Sequence, residues 1–134
     1  MRAFRQAVES WDVERAVSLM TADVIFRSPV VHKPYQGREE VSVILHAVSR
    51  VFRDFRYERE IGAEEAPDRA LVFRTRVGDR ELEGCDFLHT NEVGLIDEFF
   101  VMIRPLSGAM ALAEAMKAEL EQVTPSELPG RLRQ

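Results

Sequence analysis

The chain has 134 residues, 46% of them apolar and 31% charged, which suits one domain around one hydrophobic core. Its net charge of −5, with no basic stripe, lacks the electrostatic footprint of nucleic-acid binding. A single cysteine, Cys85, rules out an intramolecular disulfide framework and a thiolate metal cluster.

The opening residues "MRAFRQAVESWDVERAV" carry Glu9, Asp12 and Glu14 and no apolar run, so no secretory or transit peptide is expected there. No stretch approaches the ~20 apolar residues that cross a bilayer. A cytoplasmic protein is expected, with no metal, cofactor, membrane or nucleic-acid partner.

Phe4, Ala7, Val8 and Trp11 fall at i, i+3, i+4 and i+7, a helical stripe. Val13, Ala16, Val17 and Met20 repeat it out of phase, which predicts two short helices joined near "SWD", with Ser10 or Asp12 as the second N-cap. "DVIFRS" (23–28) reads as a strand closed by Pro29. A polar loop containing His32, Lys33 and Tyr35 follows, and Gly37 opens a long helix with Val41, Ile44, Leu45, Val48 and Phe52 on one face. Glu39 and Glu40 near its start and Arg50 and Arg53 near its end suit the helix dipole.

From there the period changes to two. "FRYEREI" (55–61), "RALVFRTRV" (69–77), "RELEGCDFLH" (80–89) and "GLIDEFFVMIR" (94–104) read as strands, and a last helix runs from Ser107 to about Val123. Residues 1–124 form one domain, and the Pro- and Gly-containing residues 125–134 read as a flexible tail. Helices first and strands afterwards predict α+β, with helices over one face of an antiparallel sheet.

Two hairpins set a register. Gly78-Asp79 is a two-residue turn that pairs Val77 with Arg80, Arg76 with Glu81 and Arg74 with Glu83. Leu71, Phe73, Thr75 and Val77 then share one face with Leu82, Gly84, Asp86 and Leu88, and Asp86 is the only ionisable group in the middle of it. Closing the next hairpin over Asn91 to Gly94 pairs Glu81 with Arg104 and Asp86 with Phe99. Asp97, Phe99, Val101 and Ile103 join the inner face. The outer face gathers Val72, Cys85, Phe87, Ile96, Phe100 and Met102, an apolar patch rimmed by arginines and glutamates, which predicts a homodimer interface.

The order of these elements, carried by "SWDVERAVSLMTADVIFRSP", "PYQGREEV" and "CDFLHTNEVGLIDEFFVMIRP", resembles the nuclear transport factor 2-like superfamily. It is most similar to the SnoaL-like polyketide cyclase and ketosteroid isomerase branches, over roughly the first 106 residues. The resemblance implies a cystatin-like cone in which a strongly curved antiparallel sheet wraps the long helix and small molecules bind inside. It places the loop at 29–37 near the mouth.

The family's catalytic residues carry over poorly: one acid is matched and both recognised bases are missing. The isomerase's carboxylate base ends the first strand just before the proline, where this chain has Ser28. Its oxyanion-hole tyrosine lies on the first helix, where Phe4 stands. Its neutral carboxylic acid donor matches Asp86. The water-activating aspartate of proteins like limonene-epoxide hydrolase matches Val101.

Asp86 is therefore either a protonated donor or general acid in a pocket, or a buried carboxyl satisfied by a hydroxyl, an amide or water. His32 is the candidate base near neutral pH, and the alternative for it is a solvent-facing loop residue. The expected pocket is walled by Phe4, Phe26, Ser28, Tyr35, Leu45 and Phe73 on one side. Thr75, Leu82, Leu88, Asp97, Phe99 and Val101 complete it. Three functions follow: a binder of a small apolar molecule in the cone; an isomerase-, cyclase- or hydratase-type enzyme using Asp86 with His32 or a water; and a dimerisation module with a filled cone.

Overall fold

The computed structural model describes residues 1–123; the tail expected at 125–134 lies outside them. The elements run α1 (Arg2–Glu9), α2 (Val13–Ser18), β1 (Met20–Arg27), β2 (Tyr35–Gln36), α3 (Gly37–Val51), β3 (Arg53–Ile61), β4 (Asp68–Val77), β5 (Arg80–Thr90), β6 (Ile96–Arg104) and α4 (Leu106–Gln122). None of these helices is long and apolar enough to cross a membrane.

The phase slip between the first two helices has a local cause. Trp11 adopts a left-handed backbone (φ 56°), and Asp12 caps α2 by accepting the Arg15 amide at 3.1 Å. The turn lays the Trp11 indole against Phe52 and Phe55, at 6.3 and 5.3 Å between ring centres. At the start of α3 the Glu40 carboxylate accepts the Gln36 amide at 2.8 Å, satisfying one donor of the helix terminus.

The six strands form one curved, unclosed sheet in the order β2-β1-β6-β5-β4-β3. Its architecture is α+β, as the element order implied, and the cone that the family resemblance implied, with one exception to the antiparallel expectation. β1 runs parallel to β6, because α3 and the whole β3–β5 meander intervene before the chain returns beside β1. The short β2, which carries no sequence signal, pairs with β1 at Phe26 and Tyr35.

The Gly78-Asp79 hairpin closes in the expected register, Val77 opposite Arg80 and Arg74 opposite Glu83, with Arg74 and Glu83 ion-paired at 3.1 Å. The next hairpin is displaced by two residues. Asp86 faces Val101 rather than Phe99, and Arg104 faces Glu83 rather than Glu81. A two-residue shift preserves the pleat, so every face assignment from Phe99 onward survives.

The first residues of β6 do not follow that alternation. An extra residue at Asp97 bulges out between the pairs Thr90–Ile96 and His89–Glu98. Ile96, expected on the outer face, is turned into the core beside Met20. Asp97, expected inside, instead meets His89 at 2.6 Å on the outer side.

Two glycines permit close approach. A Cβ on Gly84 would lie 2.3 Å from the Phe73 ring, so only glycine lets that ring lie across β5. A Cβ on Gly108 would lie 2.9 Å from that of Leu82, which is how α4 comes down onto the sheet. Having docked there, α4 packs on α3, β4, β5 and β6 and covers the mouth of the cone.

Candidate functional site

The polar centre of the cone is a pair. Asp86 on β5 is 5% exposed and its Oδ2 accepts a hydrogen bond from the Tyr57 hydroxyl at 2.5 Å. Tyr57 comes from β3, where it sits beside Phe73 on β4, which in turn sits beside Gly84 on β5. Tyr57 therefore reaches across an intervening strand to the residue two places beyond Gly84.

The ring of Tyr57 is held edge-on against Phe55, with centroids 4.9 Å apart. Its backbone is tied to α1, accepting from Arg5 at 3.2 Å and donating to Glu9 at 3.3 Å.

Burial dominates the electrostatics here. It raises the Asp86 carboxyl from 3.8 to about 7, and the Tyr57 hydrogen bond, which favours the ionised form, only partly opposes it. Burial first, and then the charge and hydrogen bond of Asp86, hold the Tyr57 hydroxyl well above its usual value of 10. Tyr57 is thus the permanent donor, and Asp86 changes its protonation state near neutral pH.

Asp86, but not Tyr57, borders a chamber of only about 60 Å³. Its wall includes the expected Phe26, Leu45, Phe73, Phe99 and Val101, and Asp86 is the one ionisable side chain on it among the described residues. The cone is thus mostly filled by its own side chains, leaving room for water but not for a fused-ring molecule.

A far larger cleft, about 740 Å³, lies outside it between the 28–35 loop, α3 and α4. Ser28 and Tyr35 line this outer cleft, and Phe26, Pro29, Val48 and Leu112 line both spaces and divide them. Burial, then the Glu40 charge, raises the Tyr35 hydroxyl. The Ser28 hydroxyl accepts the Val30 amide at 3.1 Å.

The remaining sequence candidates lie elsewhere. Phe4 is buried and packs edge-on against Phe99, behind the chamber wall. The Thr75 hydroxyl donates to the Arg53 carbonyl at 2.9 Å, and Thr75 and Leu82 border a small surface groove at the sheet end. Leu88 borders a separate hollow at the opposite end. Asp97 pairs with His89, raising the imidazole mainly through that hydrogen bond. His32 is exposed on the loop and lines neither the chamber nor the outer cleft.

Sequence reasoning missed Tyr57 and Leu112. Tyr57 had a signal: Phe55 and Tyr57 alternate with charged neighbours, so both face inward, and a buried carboxyl needs a hydroxyl or amide partner. Among the described residues no cluster of His, Cys, Asp or Glu could hold a metal ion.

No protein-family model and no curated protein matches the chain; solved structures do. A protein with a cystatin-like fold from Silicibacter pomeroyi is 36% identical over 90% of this chain and 84% of that one, with a TM-score of 0.85. A steroid delta-isomerase from Pseudomonas aeruginosa is 40% identical over 87% of this chain and 85% of that one, with a TM-score of 0.81. A polyketide cyclase candidate from Pseudomonas putida, 15% identical over 80% of this chain and 90% of that one with a TM-score of 0.65, shares the fold.

Proposed function

The chain belongs to the nuclear transport factor 2-like superfamily, in its ketosteroid isomerase- and polyketide cyclase-related branch, and from that premise we propose that it is a small-molecule-binding domain. Its ligand occupies the outer cleft, which Phe26, Pro29, Val48 and Leu112 divide from the chamber beside Asp86. The observation that carries the reading is the outer cleft, about 740 Å³ with largely apolar walls and Ser28 and Tyr35 among them. Ligand sites combine apolar walls with a few placed polar groups in this way. The identity to a steroid delta-isomerase makes ketone-bearing polycycles the first class to examine.

A thermal-shift screen of steroids, polyketides, terpenoids and fatty acids tests it. A ligand at a hundred times its Kd should raise the Tm by about 8 °C. Failure of every class to shift the Tm would defeat the reading.

A second reading, a proton-transfer enzyme of isomerase, cyclase or hydratase type, is favoured by one feature. A carboxyl that titrates at about 7 is matched to moving protons at neutral pH. With Ser28 where the isomerase branch has its base and His32 outside the chamber, Asp86 itself is the group that takes and returns the proton.

The outer sheet face supports a further proposal, pairing with a second copy. Phe87 and Phe100 stack there at 4.7 Å, beside Val72, Cys85 and Met102 in one cross-strand row. Met102 is 58% exposed, and burial raises the Cys85 thiol, which suits packing rather than attack. Arg74, Glu83 and Arg104 rim the patch with both signs of charge, as a self-complementary interface requires. Phe100→Glu should convert a dimer to monomer in analytical ultracentrifugation, and a monomeric wild type would end the proposal.

A further inference from the structure

Charge is distributed unevenly around the outer cleft. The chain carries 23 acidic against 18 basic residues, yet the stretch from Val24 to Arg38 holds Arg27, His32, Lys33 and Arg38 and no acid. Two of those cations are committed elsewhere: Arg27 pairs with Glu98 at 3.6 Å, and Arg38 donates to the Met20 carbonyl at 2.9 Å. Lys33 is left exposed on the cleft lining.

Across the cleft, α4 contributes Lys117, the only cation of that helix. Glu119 is drawn away to Arg50 at 2.5 Å. Glu121 is the one carboxylate on the lining and does not cancel both lysines. Neither Lys33 nor Lys117 forms an ion pair among the described residues.

Apart from Ser28 and Tyr35 the rest of the lining is apolar, with Val30, Ile44, Val48, Leu112, Met116 and Leu120 as its main surface. Leu112 to Leu120 alone runs ~12 Å along the helix, long enough to lie beside an extended chain. A volume of about 740 Å³ is in the range of small-molecule sites.

We infer that the outer cleft receives an elongated amphipathic anion, an acyl chain bearing a carboxylate, with its head between Lys33 and Lys117 and its tail along α4. The inference rests on the small-molecule reading above and adds the ligand's charge and shape. A neutral chain buries the same apolar surface but leaves both ammonium groups to water; a carboxylate meets them at a rim where ion pairs form beside apolar walls.

The test is isothermal titration calorimetry of the full chain with octanoate, 1-octanol and octylamine, at low and high salt. Octanoate should bind about fivefold more tightly than octanol at low salt, the yield of two partly exposed ion pairs, with the margin shrinking as salt rises. Octylamine should bind most weakly. In the Lys33→Met/Lys117→Met double variant the preference for octanoate should vanish while octanol affinity stays within about twofold of wild type. Equal or tighter binding of octanol by wild type, or a preference that survives in the double variant, overturns the inference and leaves the cleft a binding site for neutral chains. Binding of none of the three removes the small-molecule reading of the cleft together with the inference.

Discussion

Asp86→Asn should make the protein less sensitive to pH, and more stable than wild type in neutral and mildly alkaline solution. The unfolded chain releases the Asp86 proton near 3.8, whereas the folded protein holds it until about 7. Between those values the folded state binds the extra proton, so raising the pH favours unfolding. Above about 7 both states are ionised and the penalty is constant. At about 1.4 kcal/mol per pH unit, that gap costs wild type about 4 kcal/mol relative to its protonated form.

Asparagine has no such titration, and its amide oxygen still accepts the Tyr57 hydroxyl. Urea unfolding at acid, neutral and alkaline pH should therefore show the wild-type minus Asp86→Asn difference falling by an amount of that order. Parallel pH profiles for the two proteins would mean that Asp86 does not titrate from a buried, desolvated state.

Leu112→Ala should do two things at once. Leu112 is 3% exposed and belongs to both the inner chamber and the outer cleft. Truncating it should cost about 2–5 kcal/mol, the range for a buried leucine, read as a lowered Tm. It should also join the two spaces and admit water to Asp86, so that the carboxyl titrates below about 7 in carbon-detected NMR. Leu112→Met, of similar volume, should do neither. A destabilised alanine variant in which Asp86 titrates as in wild type would show that Leu112 packs α4 without sealing the chamber.

The two hairpins show how far local chemistry reaches. Gly78-Asp79 is a short turn flanked by opposite charges that match across the strands, and the pairing followed directly. The connection from Asn91 to Leu95 is held by the Asn91 side chain, which accepts the Val93 and Leu95 amides at 3.1 and 3.0 Å. That arrangement adds residues to the loop and leaves Asp97 as a bulge. A bulge has no compositional mark, so Ile96 and Asp97 changed places between core and surface.

Element order, the first hairpin register and the isolation of Asp86 on an apolar face were all determined by the sequence, because each depends on periodicity or on neighbours along one hairpin. The partner of Asp86 was decided only in three dimensions, since Tyr57 lies across another strand and joins it through a loop without a tight turn. The division of the cone into a small chamber and a large cleft was decided there too. It depends on α4 docking through Gly108 onto Leu82 and bringing Leu112 to the mouth. Which helix residue fills a space follows from how closely two backbones approach, and that distance is a property of the packed whole.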